Sequence, residues 1–414
     1  MVVAHRHRCS GTARGVVLSA SQPLVVVTSW GLHGALLLGL LILSIAAAGI
    51  AYWWALQHAK RIPLAAVMAI TAVAIVAAWC VPVLFSSDVY AYAAYGELAR
   101  LGLDPYLHPA QTGNDALLRD ATWQWSGRFP VCVYGPAFVA LAQLVVVALA
   151  PFGTAAQLEG IRAIASVAFL LCVPLAYAAF SGDARVRVRA AATIGLNPVA
   201  IWCAAEGHND ALALAFVFAG FAVMRRGRAG IGAAIVGLSA LIKSPAAGGA
   251  IALAFYDRRA RVGAVVGLAA AATLSFPLVR AIATQVAPHG QYAPQASLQA
   301  VLAPLGPFVA LGLALVASAA LAIRGVALLR RARNEGWVSL ALAGWVLVPN
   351  PYPWYSLWLI AVAAIAPRTR PGAVAILLSF TSLLRYVPDA VGTPSTPLSV
   401  ALGALATLPL LGLL

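Results

Sequence analysis

The sequence predicts an all-α, polytopic transmembrane protein. Three observations carry this. The 414 residues are 62% hydrophobic and only 9% charged, where soluble domains carry about 25% charged residues. Apolar stretches of roughly 20 residues recur, long enough to cross a bilayer as helices. The stretches are continuous and not alternating, which excludes a transmembrane barrel.

Taken in order, residues 1–25 carry Arg6, Arg8 and Arg14 and read as a flexible basic tail without a signal-peptide cleavage pattern. Residues 26–414 read as one transmembrane domain. The first candidate spans, 31–56 and 62–85, are apolar runs separated by Lys60-Arg61. Residues 86–134 form the longest polar stretch and hold five of the twelve acids: Asp88, Glu97, Asp104, Asp115 and Asp120. A long loop with structure of its own is usually functional, so 86–134 is expected to be an external catalytic loop. Trp123 and Trp125 belong to it and also suit an interfacial anchor.

The runs 135–152 and 160–180 follow. Four short arms come next, at 190–205, 211–224, 229–242 and 244–256. At 1.5 Å per residue each spans only about 20–24 Å, less than the ~30 Å hydrocarbon core. They form two hairpins with polar tips, Glu206-Gly207-His208-Asn209-Asp210 and Lys243-Ser244-Pro245. Charged tips at such depth persist beside a water-filled cavity or buried in protein. A cavity opening to one face is therefore expected. The last spans are 262–280, 304–324, 337–349, 352–366, 372–387 and 395–413. Counting short or re-entrant helices, the total is about 11–14.

Net charge is +15. In a soluble protein that balance would suggest nucleic acid. Here it falls in short clusters between apolar runs, at 60–61, 185–189, 225–228, 258–261, 330–333 and 368–370. That is the pattern of cytoplasmic loops, and it implies no nucleic-acid partner. Placing the clusters at 225–228, 258–261, 330–333 and 368–370 inside puts both hairpin tips, the loop 286–300, the Asn350–Tyr355 break and Arg385-Tyr386 outside. Lys60-Arg61 inside puts Asp88 outside as well. Two crossings between 135 and 180 would then strand Arg185, Arg187 and Arg189 outside. One of those segments must fail to cross, or this loop breaks the rule. Cys9, Cys80, Cys132, Cys172 and Cys203 show no metal spacing and read as small buried hydrophobes.

Asp88 ends a long apolar run within a Tyr-rich segment. A carboxylate facing lipid costs on the order of 2.5–3.5 kcal/mol, so Asp88 must lie at the surface or line a wet cavity. It is a candidate general base, or an acid capping the next helix. Glu206, His208, Asn209 and Asp210 crowd one tip and are candidate substrate contacts. A His between acids also makes a divalent cation the one cofactor to consider, but three or more placed ligands are needed; the plainer alternative is a cap for the helix at 211. Lys243 is one of only two lysines. As a compact point charge on an apolar hairpin it suits a phosphate, or it snorkels to the interface. Trp354 and Tyr355 offer ring faces to a sugar or a lipid headgroup, or belong to an aromatic belt. Arg385 is a second anion candidate. No Gly-rich nucleotide loop, zinc-protease motif or serine elbow occurs, so an activated group must arrive from the membrane on a lipid.

Ser87-Asp88-Val89-Tyr90-Ala91-Tyr92, Gly102-Leu103-Asp104-Pro105-Tyr106 and Tyr134-Gly135-Pro136 resemble the first external loop of polyprenol-phosphate-mannose-dependent α-(1→6)-mannosyltransferases. These are bacterial integral membrane glycosyltransferases of the GT-C fold. Asn197-Pro198, Gly207-His208-Asn209-Asp210, the Lys243 hairpin and Pro353-Trp354-Tyr355 follow in the family's order, so the resemblance covers about residues 60–390. It implies a GT-C-like fold in the plasma membrane and a polyprenyl-phosphate sugar donor. It implies an inverting transfer to a glycolipid or glycan acceptor on the extracytoplasmic face, with Asp88 as base. Tyr90, Tyr92, Asp104, Tyr106 and Tyr134 become candidate substrate contacts, and Lys243 and Arg385 candidate phosphate contacts. The competing class is a transporter or flippase of a lipid-linked sugar. Transporters usually show inverted repeats, and the sequence shows none.

Overall fold

The computed structural model describes residues 32–80, 86, 88–107, 115–124, 131–283, 294–387 and 396–413. The basic tail expected over 1–25 lies outside the described residues, as do Ser87 and Trp125. Among the described residues all regular structure is helical. In chain order the helices are α1 (Leu32–His58), α2 (Leu64–Trp79), α3 (Asp88–Arg100), α4 (Ala116–Gln124), α5 (Pro136–Leu149), α6 (Thr154–Ala179), α7 (Ala184–Gly195), α8 (Pro198–Ala205), α9 (Asp210–Arg225) and α10 (Ala229–Leu238). They continue as α11 (Ala246–Tyr256), α12 (Arg261–Leu274), α13 (Phe276–Ala281), α14 (Leu298–Leu302), α15 (Pro307–Arg330), α16 (Glu335–Leu347), α17 (Ser356–Ala363), α18 (Arg370–Thr381) and α19 (Thr396–Thr407).

This is an all-helical membrane protein. Large apolar side chains cover its outer surface: Phe308 is 89% exposed, Val262 72% and Val73 70%. A surface of that kind is stable against lipid and not against water. α6 and α15 are long and apolar enough to cross a membrane on their own. The span expected at 190–205 is instead a broken pair, α7 and α8, bent by 53°. Asn197-Pro198 causes the break. Asn197 accepts from the Ala200 N–H at 3.0 Å, capping α8, and its amide donates to Ser379 Oγ at 3.2 Å. Pro198 fills the first helical position, where no N–H is needed. The run 262–280 is likewise two helices, α12 and α13, parted at Ser275.

Glycines set how closely the short helices pack. A Cβ at Gly263 would lie 1.8 Å from the Gly230 carbonyl oxygen, and one at Gly267 would lie 2.4 Å from that of Ala234. The small-residue face of α12 therefore touches the backbone of α10, as membrane helices do when lipid offers no hydrophobic drive.

The packing of α5 bears on the conflict at 135–189. Its first residues pair with the Lys243 hairpin, Gly135 N–H donating to the Ile242 carbonyl at 3.2 Å. Midway, Gly96 of α3 presses on the Ala142 backbone. At its end Val146 accepts from Gln157 at 2.9 Å, and Leu149 lies against Gly160. Two residues further on, Arg162 Nε already donates to the Ala205 carbonyl beside the His208 turn, at 2.8 Å. α5 thus packs between α3, the Lys243 hairpin and the first turns of α6, beside the His208 turn. α6 runs on from there for roughly 15 more residues, about 22 Å. Near its far end the Tyr177 carbonyl accepts from Arg187 Nε at 2.7 Å, and α7 packs on the turn Ala59–Arg61. Arg185, Arg187 and Arg189 therefore stand with Lys60-Arg61, opposite the polar tips.

Candidate active site

Asp88 opens α3 and is half-buried. Its carboxylate accepts from the Tyr92 hydroxyl one turn on, at 3.3 Å. The same hydroxyl lies 3.4 Å from His208 Nδ1, and that nitrogen is 3.8 Å from Asp88 Oδ2. On the other side of the ring, His208 Nε2 is 3.9 Å from Glu206 Oε2. Residues distant in sequence thus form one line: Asp88, Tyr92, His208, Glu206.

The His208 turn follows from Gly207, whose φ of +96° is a left-handed conformation that a side chain rarely adopts. Asn209 precedes α9, but its side chain makes no cap hydrogen bond. Both its polar atoms are buried without a partner, beside a narrow apolar pocket lined by Phe138, Leu141, Ile161 and Ile164. The capping alternative for Asn209 therefore does not hold.

Lys243 is not a bare cation. It forms an ion pair with Asp210, whose other oxygen accepts from the Trp358 indole at 2.6 Å. Lys243 Nζ also stands over the Tyr134 ring at 5.4 Å and the Tyr355 ring at 5.9 Å. An ammonium has three donors, so donors remain for an anion beyond the Asp210 bond. Tyr134-Gly135-Pro136 creates this neighbourhood: a Cβ at Gly135 would fall 2.0 Å from the Leu241 carbonyl oxygen, so only glycine lets loop and hairpin meet.

Trp354 is at the site, but both its faces are taken. His208 stacks on one at 4.2 Å and 16°, and Tyr352 on the other at 4.4 Å and 11°. Its ring cannot stack on a sugar as expected from sequence; it fixes the plane of His208. Arg385 closes the column, its guanidinium 4.2 Å over Tyr352 and donating to the Tyr352 hydroxyl at 2.6 Å. Tyr355 is only partly buried and stands edge-on to Trp354 at 5.8 Å.

Three further candidates make contacts within the protein. Asp104 accepts from the Tyr106 N–H at 2.8 Å and shapes the turn. The Tyr106 hydroxyl donates to the Tyr134 carbonyl at 2.9 Å, holding Tyr134 in place. Tyr90 is buried in the core beneath α3, because two helical steps turn it away from Asp88. Trp358, Tyr352 and Arg162 were not singled out from sequence. Trp358 follows Trp354 by four residues, and that spacing on one helical face was the available signal. Among the described residues no group of three or more His, Cys, Asp or Glu side chains is placed to hold a metal ion.

Burial shifts proton affinities here. It pushes Asp88 up to about 6, against the pull of Lys243. Burial, aided by Lys243, holds His208 well below the usual histidine range, so the ring is neutral. Burial, with Asp88 and Asp210, raises Tyr92 well above its ordinary value.

Residues 5–258 match the family described as α-(1→6)-mannopyranosyltransferase, N-terminal domain. The chain belongs to this family. A curated relative, α-(1→6)-mannopyranosyltransferase A of Mycobacterium tuberculosis (strain ATCC 25618 / H37Rv), is 27% identical over 369 residues, covering 75% of this chain and 68% of the relative. No solved structure matches. As a member of the α-(1→6)-mannopyranosyltransferase family the protein is a glycosyltransferase, and the line from Asp88 to Glu206 falls inside the matched segment.

Proposed function

We propose that the protein transfers a mannosyl group from a polyprenyl-phosphate donor to a hydroxyl of a glycolipid or polysaccharide acceptor, with inversion. Asp88 is the general base. The protein crosses the plasma membrane several times, and the reaction takes place on its extracytoplasmic face. The carrying observation is the meeting of Asp88 with His208 and the Lys243–Asp210 pair at the end of the bundle away from the arginine loops.

The chemistry follows from these groups. Asp88 takes the proton of the acceptor hydroxyl as its oxygen attacks the anomeric carbon. The bond from that carbon to the phosphate oxygen breaks on the opposite face. Polyprenyl phosphate leaves with its electron pair and needs charge neutralisation, not a proton. The remaining donors of Lys243 supply it, with Arg385 as a second cation at this end. The test uses purified protein in sealed liposomes with radiolabelled polyprenyl-phosphate-mannose and a mannan-type glycolipid. Label on the acceptor, lost in Asp88→Asn, supports the reading. Label that crosses the bilayer and never becomes covalently attached overturns it in favour of a flippase.

A further inference from the structure

The end of the bundle away from Asp88 holds a second arrangement, which the transfer reaction does not use. α7 leads through α8 to the His208 turn, and α18 leads to Arg385 beside Tyr352, so both run toward the active site. They are tied where the Asn197 amide donates to Ser379 Oγ at 3.2 Å. Eight residues before Asn197 stands Arg189, and nine before Ser379 stands Arg370. At 1.5 Å per residue both lie about 12–14 Å below the tie. The two arginines therefore share one level.

Arg189 is the unusual member of its cluster. It is 8% exposed, and its Nη2 is a buried nitrogen with no hydrogen-bond partner. Arg185 is exposed, and Arg187 lies 3.9 Å over the Tyr177 ring and donates to that residue's carbonyl. A cation kept only to set sidedness is served as well in water, as Arg185 is. Arg368 repels Arg189, and Asp183 attracts it. The Asp183 carboxylate, however, already caps α7, accepting from the Val186 N–H at 2.8 Å. Exposed Arg370 follows Arg368 by two positions and heads a groove of about 400 Å³ between α18 and the tight turns Leu408–Leu413. The groove is walled by Ala373, Val374, Leu377, Pro409 and Leu411. Positions 370, 373, 374 and 377 share one helical face, so α18 offers charge at its end and apolar surface beyond it. Leu377 and Leu411 are exposed, which opens the groove sideways toward lipid. Its volume falls within the roughly 300–1,000 Å³ of ligand sites.

We propose that this end binds an anionic phospholipid, its phosphate held by Arg189, Arg368 and Arg370 and one acyl chain laid in the groove. Charge complementarity names the occupant. A phosphate accepts paired N–H bonds from guanidinium groups, meets the unpartnered Nη2 and offsets the repulsion between Arg189 and Arg368. The adjoining groove asks for a chain on the same molecule, which a free phosphate lacks. A zwitterionic lipid brings its own cation against the arginines and is disfavoured. On the proposed orientation the site faces the cytoplasmic leaflet, where basic pockets between helices meet anionic headgroups. The bound lipid clamps α7 to α18 below the Asn197–Ser379 bond.

The test uses the full chain in detergent with phosphatidylglycerol, phosphatidylcholine or free glycerol phosphate. Retained lipid is read by native mass spectrometry, and the melting temperature on the same preparations. Phosphatidylglycerol should bind about tenfold or more tighter than phosphatidylcholine and raise the melting temperature. Arg368→Gln combined with Arg370→Gln, both exposed and so sparing the fold, should weaken that binding about tenfold or more, as should Arg189→Gln. Arg258→Gln combined with Arg259→Gln removes equal charge from another loop and should change it by less than about twofold. If phosphatidylcholine binds as well, or the Arg258 and Arg259 control loses as much lipid as the Arg368 and Arg370 pair, general attraction accounts for the binding and the site is wrong. If glycerol phosphate raises the melting temperature as much as phosphatidylglycerol does, the ligand is a soluble anion and the lipid is not the occupant.

Discussion

Asp88 feels two opposed pulls. Burial raises its proton affinity to about 6, and Lys243 opposes that rise. A base works only when ionised, so transfer should fall as pH drops through about 6, roughly tenfold per unit below it. Asp88→Asn should lower transfer by about 10²–10⁴-fold. Stability moves the other way. A folded-state pKa above the unfolded value favours folding below the unfolded pKa, and that advantage is lost as pH rises through about 6. At pH 7.5 the carboxylate is therefore a cost, and Asp88→Asn should melt at or above the wild-type temperature in detergent. A lower melting temperature, or a rate flat down to pH 5, would sink this account. Lys243 makes a companion case. Lys243→Met strands the Asp210 carboxylate, which is fully buried, and removing one partner of a buried pair costs about 3–5 kcal/mol. Adding Asp210→Asn removes the stranded charge while keeping an oxygen for Trp358. The double variant should regain most of the lost stability and remain inactive. If it is no more stable than Lys243→Met in thermal melts, the pair does not carry the hairpin as described.

Elements meet here through backbone, and glycine decides where. Gly135→Ala puts a Cβ 2.0 Å from the Leu241 carbonyl oxygen, so α5 must move off the Lys243 hairpin at a cost of about 1–3 kcal/mol. Tyr134 and Lys243 then separate. Transfer should drop more than stability does, measured as activity beside a thermal melt on one preparation; equal activity would show that this contact does not shape the site. Much of the scaffold was legible beforehand. Apolar runs gave the helices, the short arms gave the hairpins with polar tips, and Asp88 stood out as a costly acid. The pairing of those tips was not legible. Nothing in the spacing of Trp354 shows that His208 will cover one face, because that stack joins residues about 150 positions apart, and a tyrosine two positions away does not by itself announce the stack on the other. Nor does composition distinguish a free Lys243 from one neutralised by Asp210 across 33 positions. Asp104 and Tyr106 show the reverse case: their motif is recognisable in the sequence, whereas the local hydrogen bonds by which it builds a turn and holds Tyr134 are not.

Across the whole molecule, charge and chemistry separate to opposite ends. α9 runs from Asp210 at the site to Arg225, α10 returns from beyond Arg228, α11 descends to the cluster at 258–261, and α18 climbs from Arg370 toward Arg385. The cluster at 185–189 packs beside the turn Ala59–Arg61, so on the proposed orientation it stands with the other arginine clusters. The positive-inside bias acts on loops flanking true crossings. On that rule α5 is a short apolar helix that stays on the site side, and the sequence alone would count it as a crossing. This gives a direct prediction of sidedness. In a background with the native cysteines replaced by Ser, Val186→Cys and Arg61→Cys should react with a membrane-impermeant maleimide only from the cytoplasmic side. Leu103→Cys, in the loop that carries Tyr106, should react only from outside. In intact cells Leu103→Cys alone should label, and permeabilisation should add the other two. If Val186→Cys labels in intact cells together with Leu103→Cys, then α5 crosses after all, the arginines at 185–189 lie on the outside, and the separation of charge from chemistry fails at that loop.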